Sequence, residues 1–121
     1  MSTRSTFLKE EIVMSQGFKE LITGVLKAQG WTIVDSTAIA LKSYETAVGP
    51  KEAQAYLSRG DGYNVTLYGM YYSEGRNILE PRGQLIPVDA DEATVLAAAE
   101  RFAASVDTEV ANSYAGRLLR R

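Results

Sequence analysis

The sequence contains no cysteine and no histidine. Without cysteine there is no disulfide, no thiol nucleophile and no thiolate zinc site. Without histidine there is no imidazole base, no Ser-His-Asp triad and no titrating switch near neutral pH. Long apolar runs are also missing. No stretch approaches the roughly 18 apolar residues that read as a membrane span. The opening Met1 to Thr6 is polar and has no apolar centre of a secretion signal. These two absences point to a cytoplasmic protein without membrane contact. They also make the sequon Asn64-Val65-Thr66 a chance match, because its modification requires secretion. Neither sign of charge dominates. A formal net charge of -2 supplies no field of nucleic-acid-binding strength.

What is present is ordinary globular composition. Of the 121 residues, 45% are apolar and 23% charged, which excludes a disordered chain. The length fits a single domain over residues 1–121. A chain of this size buries roughly two-thirds of its unfolded surface, enough for one core without staples.

The apolar pattern places the elements. Residues Phe7 to Val13 alternate as a short strand, and Ser15 is placed to cap a following helix. Phe18, Leu21, Ile22, Val25 and Leu26 recur at helical spacing, and Gly30 stands where a left-handed helix stop is needed. Trp31 to Val34 and Thr37 to Thr46 read as strands, with Ala38, Ala40 and Tyr44 sharing one face. Gly49-Pro50 reads as a loop. Ala53 to Arg59 and Tyr63 to Tyr72 alternate on either side of Gly60-Asp61-Gly62, the signature of a hairpin. In the second strand Tyr63, Val65, Leu67 and Tyr71 share one face, and Tyr68, Met70 and Tyr72 share the other. Gly69 between them predicts a bulge or a close backbone approach. Ser73 to Arg76 reads as a turn, and Gln84 to Val88 as an edge strand because of Pro87.

Asp89 and Glu92 resemble a capping box at the start of a second helix. Its apolar stripe is Val95, Leu96, Ala99, Phe102, Ala103 and Val106, continuing through Val110, Tyr114 and Leu118. One long helix is expected, with a kink near Ser105 to Asp107 or a separate final helix capped by Asp107. The element order is β-α-β-β-β-β-α. It predicts an α+β fold: a mostly antiparallel sheet of four to six strands with two helices packed on one face.

At these residues the chain resembles a family of small uncharacterised proteins shared by cyanobacteria and plastid genomes. The likeness is carried by Thr6-Phe7-Leu8-Lys9 with Ile12, by Leu21 and Gly30-Trp31, and by Lys42-Ser43-Tyr44. Ala53 through Leu67, centred on Gly62-Tyr63-Asn64-Val65, and Arg101-Phe102-Ala103 complete it. The resemblance implies a fold of this type and a non-catalytic role.

Candidate chemistry is sparse. Arg59-Gly60-Asp61 matches an adhesion tripeptide, but a hairpin turn explains it. The acidic cluster Asp89, Asp91 and Glu92 is explained by a helix start, so no metal and no cofactor are expected. The arginines at the C-terminus, Arg117, Arg120 and Arg121, suit a helix end through its dipole. Glu45 and Glu80 are strand-borne carboxylates with no evident catalytic partner, so a non-enzyme is favoured.

Two functional expectations follow. The first is an adaptor-type, non-catalytic protein that binds another protein, self-association included. An inhibitor carried by a phage or mobile element, acting on a host system, is a special case. Its contact residues are Tyr68, Met70 and Tyr72, because a mixed polar-aromatic face suits an interface. The competing reading is that helices cover this face. The second expectation is a small-ligand pocket between sheet and helices, lined by Arg59, Arg76, Glu80 and Arg82.

Overall fold

The computed structural model describes residues 17–59 and 62–119, with side chains described up to residue 116. The predicted strand over 7–13, the capping Ser15, the turn residues Gly60 and Asp61, and the terminal arginine pair lie outside the described residues. Helix α1 runs over 17–28 and buries Phe18, Ile22 and Leu26. Gly30 ends it at φ +93°. The Trp31 amide donates to Leu26 O at 2.9 Å and the Gly30 amide to Lys27 O at 3.1 Å. This paired closure needs a left-handed residue at Gly30, which glycine adopts without strain.

Seven strands follow among the described residues: β1 (Thr32–Ile33), β2 (Ala40–Thr46), β3 (Gly49–Arg59), β4 (Asn64–Met70), β5 (Tyr72–Ser73), β6 (Arg76–Asn77) and β7 (Gln84–Pro87). A short 3₁₀ turn at Glu80–Arg82 precedes β7. Helices α2 (Glu92–Asn112) and α3 (Tyr114–Leu119) close the chain. The main sheet is antiparallel in the order β1-β2-β3-β4-β7, and β5-β6 is a separate hairpin. The fold is α+β, with the helices on one face of the sheet.

The core lies between that face and the helices. Ala40, Ala53, Ala55, Val65, Leu67 and Ile86 from the sheet meet Val95, Ala99, Phe102 and Val106 from α2. Alanine on β2 and β3 lets the helices lie close, and Trp31 fills the gap with its ring centroid 6.0 Å from that of Phe102. Gly69 is a close approach rather than a bulge. A Cβ there would stand 2.9 Å from Leu79 Cδ1, 3.0 Å from Phe102 Cζ and 3.2 Å from the Gln54 carbonyl oxygen.

Several boundaries differ from the sequence pattern. β2 begins at Ala40 rather than Thr37, because residues 35–39 bend and bury Ala38, Ile39 and Ala40 in succession. Gly49 and Pro50 open β3 instead of forming a loop; the turn is Ala47-Val48, with Thr46 opposite Gly49. Proline is tolerated there because this end of β3 runs past β4, whose pairing starts at Gln54. The cap of α2 is Asp91, not Asp89: its carboxylate accepts from the Thr94 amide at 2.9 Å, and the Thr94 side chain, then that amide, hold the Asp91 carboxyl below its usual range. The helix breaks at Ser113, not near residues 105–107. Ser113 Oγ donates to Val110 O at 2.6 Å and accepts from the Gly116 amide at 3.3 Å. Asp107 therefore caps nothing and lies inside α2. The break also rotates Tyr114 off the apolar stripe, leaving it exposed.

Candidate functional site

Antiparallel partners point to the same side of a sheet, so the register assigns its two faces. On the face away from the helices, Thr32, Leu41, Gln54 and Met70 form one row. Tyr56 stands opposite Tyr68, and Ser58, Thr66 and Leu85 form the next row. Asn64 and Pro87 end the face. Every one of these side chains keeps some exposure, in contrast to the buried alanine, valine and leucine positions between them. Leu85 is 69% exposed.

Two properties set this face apart. The first is aromatic order: the Tyr56 and Tyr68 rings stack at 5.2 Å and 15°. The Tyr56 hydroxyl donates to Gln54 Oε1 at 2.6 Å, which fixes the stack from the side. The second is the absence of charge. None of these rows carries an ionisable acid or base other than tyrosine, although 23% of the chain is Asp, Glu, Lys or Arg. The carboxylates on this side, Glu45 and Glu52, pair with Pro50 and Ser43 at the end where β2 and β3 overhang β4. Depletion of charge with enrichment of tyrosine and methionine marks the centre of protein interfaces.

The structure places Tyr68 and Met70 here, two residues apart on β4. Tyr72 stands beyond the main sheet on β5, 56% exposed, with its carbonyl accepting from Lys51 Nζ. The expectation that helices cover this face does not hold among the described residues, since the core helices pack on the other side. Tyr63, grouped with Val65, Leu67 and Tyr71 by alternation, does not share their burial and is exposed ahead of β4. The sequence pattern alone does not single out Tyr56, Gln54 or Leu85. Tyr56 carries a readable signal, because a hairpin between the two alternating stretches must set it near Tyr68.

The residues proposed for a ligand pocket divide. Arg76 and Glu80 line a cleft of about 330 Å³ between the β5-β6 hairpin and the end of α2, together with Glu74, Glu109 and Tyr114. Arg82 reaches this cleft only through Glu109, to which its guanidinium pairs at 2.8 Å. Arg59 is not among them, being at the other end of β3, opposite Val65. Asn77 is committed to structure. Its Oδ1 accepts from the Tyr71 and Leu79 amides, and its Nδ2 donates to Gly69 O.

On the helix side one polar cluster interrupts the core. Lys42 Nζ donates to Asp107 Oδ1 at 2.9 Å and to Gln29 O at 2.9 Å. The Tyr44 hydroxyl donates to the same Asp107 oxygen at 2.6 Å. Burial, then the hydrogen bond to Asp107, raises the Tyr44 hydroxyl far above its ordinary range. A tyrosine held this firmly in its protonated form is the opposite of an activated base. The cluster ties β2 to α1 and α2. Nearby, the buried Tyr71 hydroxyl makes no hydrogen bond of regular geometry among the described residues. Burial raises its pKa, and the Ser113 side chain opposes that rise only in part.

No protein-family model, curated protein or solved structure matches this chain.

Proposed function

We propose that this protein acts by binding another protein through the outer face of its sheet, with Tyr68, Met70 and Tyr56 at the centre of the contact. The observation that carries this reading is the charge-free, aromatic surface that the described residues leave open on a sheet whose other side is packed by helices. Tyrosine contributes large contact area at low entropy cost, and the stacked pair is held in place before binding. The reading is of a non-catalytic role, and it takes the Tyr44–Asp107 hydrogen bond as a structural tie.

A photo-crosslinking residue in place of Tyr68, expressed in the native host, tests it. Protein adducts should form at position 68 and not at the exposed helix position Ala104. Adducts equal at both positions, or at neither, overturn the assignment.

A second reading is favoured by the cleft that brings Arg76 and Glu80 together. It makes the protein a binder of a small polar molecule. A native-state ligand raises the melting temperature, so a thermal-shift screen of charged metabolites against wild type and Arg76→Ala discriminates the two.

A further inference from the structure

We infer that the occupant of the outer sheet face is a second copy of this chain, packed face to face about a two-fold axis. This rests on the reading of that face as a protein-binding surface. Three observations select the copy.

The first is electrostatic. A charged partner surface laid on the rows around Tyr56, Tyr68 and Leu85 would lose its hydration without finding an opposite charge. The partner must be equally free of charge, and this face meets that condition itself. The second is the chemistry of the polar groups. Ser58, Thr66 and Tyr68 end in hydroxyls, which both donate and accept hydrogen bonds. A two-fold axis brings like groups onto one patch. Carboxylates or ammonium groups repel under that operation, whereas hydroxyls pair.

The third is size. With strands about 4.8 Å apart and about 3.4 Å per residue, the uncharged rows span roughly 350 Å² in plan, and the Glu45–Glu52 end, a charged rim beside them, brings the five-stranded face to roughly 500 Å². Two such faces reach the roughly 1,000 Å² that a specific interface needs. Sheets stack face to face about 10 Å apart with their strands nearly aligned. The helices already occupy the other side, so the pair forms four layers, helix-sheet-sheet-helix. Leu85 then enters the contact, which accounts for a leucine at 69% exposure in the single chain.

Sedimentation velocity of the full chain at micromolar to high-micromolar concentration tests this. Wild type should sediment at twice the 13.2 kDa chain mass. Leu85→Arg and Tyr68→Arg should each weaken the pair at least tenfold, and Leu85→Met should retain it. Thermal unfolding run beside each variant shows that the monomer is folded; Leu85 is exposed enough that its replacement leaves the core untouched. A dimer that survives both arginine variants uses another surface and overturns the inference. A wild-type monomer whose position-68 crosslinker still captures a host protein overturns the second copy and leaves the binding surface standing. A monomer that captures nothing through position 68 removes both.

Discussion

Replacing Gly69 with alanine tests the packing of the whole molecule with one methyl group. Elsewhere in a strand the change is favourable, because alanine loses less backbone freedom on folding than glycine, by about 0.5–1 kcal/mol. At Gly69 the new Cβ meets Leu79 Cδ1 at 2.9 Å, Phe102 Cζ at 3.0 Å and the Gln54 carbonyl oxygen at 3.2 Å. Leu79 and Phe102 are both fully buried, so neither side chain has free space to retreat into. The carbonyl belongs to β3 and is held by the ladder to β4. Overpacking of this kind costs about 1–3 kcal/mol, which exceeds the entropic gain. Gly69→Ala should therefore lower the urea midpoint by an amount equivalent to about 1–2 kcal/mol, with the slope unchanged. Shortening one obstacle should return part of the loss: Gly69→Ala with Leu79→Val should show a coupling of at least ~0.5 kcal/mol in a double-mutant cycle. The methyl points inward, so dimerisation through the outer face should persist in the folded fraction. A neutral or stabilised Gly69→Ala would refute the close approach of α2 to β4.

Three further outcomes follow from the polar contacts and the turns. Asp107→Ala leaves the Lys42 ammonium with Gln29 O as its remaining hydrogen-bond acceptor and should cost about 1–2 kcal/mol, moderated because Asp107 is half-exposed; chemical denaturation at neutral pH measures it. Tyr44 and Tyr71 have hydroxyl pKa values above that of an unfolded tyrosine, so their contribution is complete below roughly pH 10 and is lost as pH rises beyond it. Urea midpoints at about pH 9 and about pH 11 should show the fall, and Tyr44→Phe should reduce it. Glu74 stands at φ +53° and Gly75 at φ +82° in the β5-β6 turn, a conformation that favours Asn-Gly. Glu74→Asn should raise the melting temperature by a few degrees, and a decrease would show that Glu74 makes a compensating contact.

The first helix is readable from the chain because its apolar spacing and its capping glycine agree. The hairpin between β3 and β4 is readable from alternation on both sides of one glycine-rich turn. The departures cluster where a local signal competes with another of similar strength. Asp89, Asp91 and Glu92 all suit a helix start, and only the path of the chain from β7 decides that Asp91 supplies the cap. The four-residue rhythm from Val106 through Val110 to Tyr114 is consistent with one helix. The chain nonetheless turns at Ser113, whose hydroxyl bonds to Val110 O, and Gly116 permits the turn, since a Cβ there would lie 2.1 Å from Val110 O. Tyr68 and Met70 are legible as a pair on one face. Arg59 groups with Arg76 and Arg82 only along the chain, because turns that follow one another in sequence need not meet in space.

The α+β class, the left-handed stop at Gly30 and the alternation that sorts β4 into two faces are all present in the amino-acid order. Those are properties of short stretches, governed by periodicity and by backbone freedom at glycine. The absence of cysteine and histidine likewise removes whole reaction classes, because no fold can supply a side chain that the polypeptide does not contain. Which side of the sheet receives the helices is settled only in three dimensions, because both faces of β4 carry apolar residues. Cross-strand register then sets Tyr56 on Tyr68 and Leu85 beside Thr66. Charge is excluded from that surface by residues drawn from five strands, and no single stretch of sequence contains enough of them to show it.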